Sequence, residues 1–174
     1  MLNNSEIRFL NIIHPLIRED IVQPEPCPCG SSSPFERCCY PLIQGNSQAL
    51  TAEHLMRSRY TAYALHAFPY IVKTWHTSSR HAELAQLLEQ DSVDTQWQGL
   101  TICETHAGRA VDEAYVTFFA RYTSDQQPGW IYETSRFVRE NNHWYYIDGV
   151  HKIPGRNETC PCGSQKKFKK CCAR

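Results

Sequence analysis

The sequence lacks the segments that mark exported and membrane proteins. No apolar run approaches the roughly 18 residues that a membrane-spanning helix requires. The first six residues, Met-Leu-Asn-Asn-Ser-Glu, show no basic segment leading into an apolar one, so we expect no export signal. With 41% hydrophobic residues, a chain of 174 residues can also build a core without disulfide staples. These features predict a cytoplasmic protein whose thiols are reduced.

The common motifs of catalysis are missing as well. The sequence contains no glycine-rich phosphate loop, no serine nucleophile elbow and no His-Glu-x-x-His helix. Spacing alone identifies no nucleophile with a neighbouring base. The sequence therefore names no catalytic residue, and whether the chain is an enzyme stays open.

Cysteine, in contrast, is abundant, with nine residues in the chain. Eight of them form two copies of one pattern, Cys-x-Cys-x8-Cys-Cys, with glycine after the second cysteine and phenylalanine at a fixed offset. The two sets are Cys27, Cys29, Cys38 and Cys39, and Cys160, Cys162, Cys171 and Cys172. Four thiolates so close in sequence, with glycine to permit the turn, suit a tetrahedral metal ion. The pattern predicts two metal knuckles that flank a central domain.

A disulfide framework is the alternative interpretation of eight cysteines, but a reducing compartment argues against it. Zinc is favoured because tetrahedral sulfur sites are chiefly zinc sites, although ligand softness also allows iron. Since the protein supplies all four ligands, each metal would stabilise its own loop and would not activate water. The ninth cysteine, Cys103, lies in a strand-like run and is expected to be a small buried residue.

The second copy and its flanks, Gly155 to Cys172, resemble the SEC-C motif, the zinc-binding tail of the preprotein translocase motor SecA. That tail docks on the export chaperone SecB, so the resemblance implies a protein partner of this kind. Three departures are visible: Cys172 stands where SecA tails often have histidine, Gln165 replaces a common glycine, and Glu158-Thr159 replace Asp-Pro. A SEC-C motif at each end of a compact middle resembles the YchJ-like (UPF0225) family. This second resemblance implies a middle domain similar to the nuclear-transport-factor-2-like cone.

Basic charge is concentrated in the second copy. Residues 152–174 carry seven basic side chains and one acidic side chain, Glu158, whereas residues 1–40 and 41–151 are both net acidic. The first copy lacks the lysines of the second, so we expect any docking to use the C-terminal knuckle. The cluster favours an acidic surface on a protein partner. That partner is expected to be a SecB-like chaperone, as the resemblance implies, or a ribosome-associated protein. Nucleic acid and a solvated tail without a partner remain the alternatives.

Between the knuckles the apolar period changes from helical to strand-like. Helices are expected over Ser5–His14, from Thr51, from Pro69 and after Ser78 or Ser79. In the last of these, Leu84, Leu87 and Leu88 are expected to face inward. Strands are expected from about Leu100 and over Ala114–Tyr122, Trp130–Arg139 and His143–Asp148. The Asn141-Asn142 pair predicts a two-residue type I′ hairpin turn.

This order of elements predicts an α+β fold, in which helices pack on a curved antiparallel sheet. The chain divides into an N-terminal helical segment (1–24), a first knuckle (25–42), a central domain (46–151) and a second knuckle (155–174). The expected cone, flanked by a four-cysteine metal knuckle at each end, would leave a hollow between the helices and the sheet.

The hairpin turn also predicts which side chains line that hollow. Counting from it places Ser135 opposite Asp148 and puts Glu133, Ser135 and Asp148 on one face. With His76 and Tyr70 closing the space from the helices, Glu133, Asp148 and His76 form a candidate ligand pocket suited to binding or acid–base chemistry. In the alternative, Ser135 bonds Asp148, Glu133 pairs with an arginine or a backbone amide, and the core is filled. The function that we favour is a non-enzymatic metal-binding adaptor that uses the basic C-terminal knuckle. The alternative is a small-molecule enzyme or ligand-binding protein with purely structural knuckles.

Overall fold

The computed structural model describes residues 25–91 and 94–173, so the helix expected over Ser5–His14 lies outside it. The helices of this part are α1 (Tyr40–Ile43), α2 (Ala52–Ala64), α3 (Phe68–Lys73) and α4 (Leu84–Asp91). The strands are β1 (Gln96–Ala107), β2 (Glu113–Ser124), β3 (Gln127–Glu140) and β4 (His143–His151). Two 3₁₀ turns, Phe35–Arg37 and Phe168–Lys170, belong to the cysteine segments. Across the described residues we find no helix with the length and apolar character needed to cross a membrane.

The four strands form one antiparallel sheet in the order β1-β2-β3-β4, and α2 packs across it against β1, β2 and β4. The predicted α+β fold, with cysteine clusters at both ends, is therefore confirmed. Asn141 and Asn142 have φ of 49° and 65°, as a type I′ hairpin turn requires. A second turn with φ of 51° and 63°, Asp125-Gln126, joins β2 to β3. This second turn was not predicted, because glutamine rarely adopts positive φ.

The helices begin where capping chemistry allows. The Thr51 side chain accepts a hydrogen bond from the His54 backbone N–H at 3.1 Å, which confirms the predicted start of α2. Pro69 stands in the first turn of α3, again as predicted. The helix expected after Ser78 or Ser79 instead begins at Leu84, since Ser78 is engaged with the His76 ring at 2.6 Å. Short helix α1 begins directly after Cys39 and has Pro41 in its first turn.

Strand β2 divides two hydrophobic cores. Val116, Phe118 and Ala120 are buried on the helix-facing side, with α2 and the first cysteine segment. Phe119 is buried on the opposite side, where the second cysteine segment covers it. The side chains of β2 thus alternate between the two faces, and each face of the sheet has its own knuckle.

The predicted register between β3 and β4 is right near the turn and wrong beyond it. Phe137 pairs with Tyr146 as expected, but Arg136 pairs with Asp148, so that β4 contains one extra residue, Ile147. This β-bulge moves every later side chain of β4 to the other face. Ser135 therefore pairs with Gly149, not with Asp148.

Candidate metal centres and central cavity

Both cysteine segments have the same backbone, which explains their common sequence. In each, the N–H of the first cysteine bonds the carbonyl six residues later, at 2.9 Å for Cys27 and 2.7 Å for Cys160. The glycine after the second cysteine has positive φ, 72° at Gly30 and 83° at Gly163. An isolated β-bridge closes each loop at equivalent positions, and a 3₁₀ turn leads into the final pair of cysteines.

The four sulfurs of each segment lie within 4.8 Å of one another. The Sγ–Sγ separations are 3.6 and 3.8 Å around Cys38, and 3.6 and 3.7 Å around Cys171. A tetrahedral zinc site with metal–sulfur bonds of about 2.3 Å has sulfur–sulfur edges of about 3.8 Å. All eight thiols are free, with no disulfide between them. Both clusters are therefore compatible with metal binding, and their sulfur donors fit zinc or iron.

One thiol in each cluster favours the ionised form, which is the form that binds metals. Hydrogen bonds from neighbouring thiols, chiefly Cys27, hold the pKa of Cys29 far below its ordinary value. In the second cluster burial opposes ionisation, but hydrogen bonds from Ser164 and neighbouring thiols lower the pKa of Cys162 to about 6. Each site thus offers a thiolate near neutral pH, as metal capture requires.

The first cluster is part of the main core. Cys27, Cys29 and Cys39 are all buried and pack with the residues beneath α2. The Cys27 sulfur lies 3.7 Å from the Thr61 hydroxyl, and Arg57 Nη1 donates to the Cys29 carbonyl at 2.9 Å. Because α2 contacts both its sulfur and its backbone, this knuckle is built into the central domain.

The second cluster packs on the outer face of the sheet, where Phe168 and Cys160 are buried with Phe119. Phe168 is buried, with its ring edge-on to Trp130 at 5.4 Å between centroids, and Trp130 in turn stacks on Phe119. Only Cys160 is buried, while the other three cysteines of the cluster are half-buried. Cys103 of β1, expected to be buried, is exposed on this side with its sulfur 3.7 Å from the Pro161 carbonyl.

The basic residues of the second knuckle are directed to solvent. Lys166, Lys167, Lys169 and Lys170 are all exposed. Within residues 25–91 and 94–173, none of the four takes part in an ion pair. The first knuckle offers only Arg37 at the corresponding place. The charge asymmetry of the sequence is therefore also a surface asymmetry.

A cavity of about 200 Å³ lies between α2 and the sheet. Its floor consists of buried residues, Met56, Arg59, Tyr60, Phe118, Glu133 and Ser135. Its rim consists of half-buried residues, Tyr63, Trp75, Trp97, Ile131 and Tyr146. The hollow expected from the fold is present, although it is smaller than the roughly 300 Å³ at which most ligand sites begin.

Of the three predicted pocket residues, only Glu133 lines this cavity. Its carboxylate accepts a hydrogen bond from the Ser135 hydroxyl at 2.5 Å and lies 3.6 Å from His151 Nε2. Asp148 is turned to the outer face by the bulge, where Arg136 binds both of its oxygens. His76 lies elsewhere, with its Nε2 3.0 Å from a Glu140 oxygen. The structure does not bring the three together.

The residue that dominates the cavity, Arg59, was not predicted from the sequence. Its side chain is 3% exposed, and its guanidinium carbon lies 5.3 Å from the Trp75 ring centroid and 4.7 Å from that of Tyr146. Burial lowers the pKa of this guanidinium. Position 59 lies three residues after Met56 and one before Tyr60, so it falls on the apolar side of α2. A charged residue on the apolar side of a helix indicates a buried charge, and this was the signal in the sequence by which Arg59 could have been found.

Comparison with known proteins gives matches across most of the chain. The family described as "YchJ, middle NTF2-like domain" matches residues 51–149, and the SEC-C motif matches residues 156–174. A UPF0225 protein of Enterobacter sp. (strain 638) is 47% identical over 148 residues, which cover 85% of this chain and 97% of that protein.

Two solved structures are similar to the fold described above. A SEC-C motif containing protein from Psychrobacter arcticus has 30% identity and a TM-score of 0.60, over 87% of this chain and 96% of that one. A SEC-C motif containing protein from Rhodopseudomonas palustris has 28% identity and a TM-score of 0.67, over 74% of this chain and 100% of that one. With its cysteine-bounded ends and matching middle, the chain belongs to the YchJ-like (UPF0225) family.

Proposed function

We propose that this protein is a cytoplasmic zinc-binding adaptor whose C-terminal knuckle docks on an acidic protein surface. The observation that carries the proposal is the set of four exposed lysines, unpaired within the described residues, on a knuckle fixed to the sheet by Phe168. A fixed cluster of like charge attracts an acidic partner and orients it as it approaches. The central domain, residues 46–151, then acts as the scaffold that holds the second knuckle, residues 155–174.

Zinc is proposed as the metal of both knuckles because each has four sulfur donors at tetrahedral spacing. The role is structural: four protein ligands leave no position for water, so the ion would hold the loop that displays the lysines. If the C-terminal SEC-C motif loses its ion, we expect the loop to lose its fixed conformation, so that the lysines are no longer held in place.

Elemental analysis tests the metal assignment. Protein purified without chelator is expected to contain about two zinc ions per chain, one for each set of four sulfurs. The Cys162→Ser variant should retain about one, because it removes a ligand from the second site alone. Folded protein that is free of metal and has its cysteines paired as disulfides would contradict the assignment. A stoichiometric content of iron would show that the metal of these sites is iron and not zinc.

Charge substitution tests the docking surface. Replacing Lys166, Lys167, Lys169 and Lys170 with glutamine should weaken binding to a purified acidic partner, with the SecB chaperone as the first to be tried. The same change should flatten the salt dependence of binding, since surface charges act through a screened field. Titration calorimetry at two salt concentrations would measure both effects.

The matched control removes the same charge from other surfaces. Arg37, Lys73, Arg80 and Arg109 are exposed and lie outside the second knuckle, so their glutamine variant has an equal change of net charge. This control is expected to bind almost as well as the unmodified protein. Equal weakening by both variants would mean that net charge, and not the second knuckle, governs the interaction.

A further inference from the structure

The charge of Arg59 has no direct counterion in the described part of the protein. Its Nη1 donates to the Ile71 carbonyl at 3.0 Å and to the Thr74 hydroxyl at 2.8 Å, and both acceptors are neutral. The rings of Trp75 and Tyr146 cover it, but Arg59 forms no ion pair with a described residue. A buried cation of this kind is costly unless an anion reaches it.

Glu133 does not supply that anion by direct contact, although it lines the same cavity. Its carboxylate accepts a hydrogen bond from the Ser135 hydroxyl at 2.5 Å and lies 3.6 Å from Nε2 of His151 in β4. It also packs on the backbone of Gly149, so closely that a Cβ added at this glycine would collide with Glu133 Oε1. Glu133 therefore occupies the β4 side of the cavity and leaves the guanidinium available to a third group.

A second donor in the cavity wall has no partner. Trp75 Nε1 is buried and has no hydrogen-bond acceptor among the described residues. A buried donor without a partner costs about 1–3 kcal/mol, so natural proteins retain one where a water, an ion or a ligand completes it. Arg59 and Trp75 both line the cavity, and the Arg59 guanidinium lies over the Trp75 ring, so the two donor groups are neighbours in its wall.

The size and the walls of the cavity indicate what can complete these donors. A cavity of about 150 Å³ holds a benzene ring, and this one measures about 200 Å³. Its walls include the rings of Tyr60, Tyr63, Trp97 and Phe118, which suit a flat apolar body. We propose that the cavity binds a single-ring aromatic acid, with its carboxylate on Arg59 and Trp75 and its ring among the wall aromatics.

Ligand chemistry tests the proposal on the unmodified full chain. Benzoate and benzyl alcohol have similar size, but only benzoate carries a charge for Arg59. By calorimetry or saturation-transfer NMR, benzoate is expected to bind at least about tenfold more tightly, because hydrogen bonds between charged groups are the stronger ones. Equal affinity for the two compounds, or no saturable binding of benzoate, would overturn the proposal.

Substitution at Trp75 tests the same site without removing the Arg59 bonds that support α3. Trp75→Phe deletes the unpartnered N–H and keeps an aromatic wall, so benzoate affinity should fall severalfold while the protein remains folded. Trp144→Phe is the control, since Trp144 lies outside the cavity lining and its Nε1 donates to the Leu50 carbonyl. Unchanged benzoate affinity in Trp75→Phe, or the same loss of affinity in Trp144→Phe, would contradict the proposal that the carboxylate binds at Trp75. Neither result depends on the lysines of the second knuckle.

Discussion

At the scale of single residues, Gln165 shows how a local backbone demand can be met by an unfavourable side chain. Gln165 and its counterpart Ser32 both have positive φ, 61° and 64°. The SEC-C resemblance places glycine at the first of these positions, and the shared left-handed backbone is the physical reason. A residue with a Cβ loses about 1–2 kcal/mol of stability in this conformation. Glycine avoids this cost, but it also gives the unfolded chain more conformational entropy, which offsets part of the gain.

Gln165→Gly should therefore stabilise the second knuckle by about 1 kcal/mol. Chelator competition is expected to show metal held about fivefold more tightly at that site. In the Cys162→Ser variant only the first knuckle still holds metal, so the metal that the chelator removes from this variant comes from that knuckle. Gln165→Ala is the control, because alanine keeps the Cβ and cannot relieve the strain. An equal gain from alanine would show that loss of the glutamine side chain, not backbone strain, is responsible.

At the scale of elements, much of the fold could be predicted because capping and periodicity are local. Thr51 caps α2, Pro69 opens α3, and the β2 side chains alternate between two faces, all as local rules require. The cysteine pattern likewise indicated two similar loops. These features depend on residues within one turn or one strand of each other.

The features that could not be predicted depend on the balance between distant contacts. A bulge at Ile147 follows from how β4 meets both β3 and the segment after α3, where the Trp75 ring lies 4.7 Å from Tyr146. Counting from a hairpin turn cannot detect one extra residue, so Asp148 was assigned to the wrong face. Leu87 was expected to face inward but is 47% exposed, although Leu84 of the same helix is buried.

At the scale of the whole molecule, the two knuckles have the same framework but different relations to the core. The first has three buried cysteines and direct bonds to α2, whereas the second has one buried cysteine and rests on the opposite face through Phe168. Sequence similarity alone would assign them equal importance. Their surroundings indicate that the first supports the fold and the second presents a surface.

Equivalent ligand substitutions should therefore have unequal effects. Cys29→Ser is expected to lower the free energy of unfolding by at least about 1 kcal/mol more than Cys162→Ser, since it disturbs the main core as well as a metal site. Cys162→Ser should loosen its own knuckle and leave the central domain folded. Urea denaturation followed by far-ultraviolet circular dichroism measures both. Equal losses, or a larger loss in Cys162→Ser, would refute the distinction.

The bulge in β4 also determines the electric character of the space beneath α2. By turning Asp148 outward it leaves one cation, Arg59, and one carboxylate, Glu133, among the residues that line the cavity. Their formal charges cancel for a group far from the protein, but inside the cavity they form a dipole between the helix side and the strand side. Such a field discriminates by orientation more than by total charge. It favours a guest with a negative end towards the helices and a hydrogen-donating end towards the strands, and it disfavours the same guest reversed.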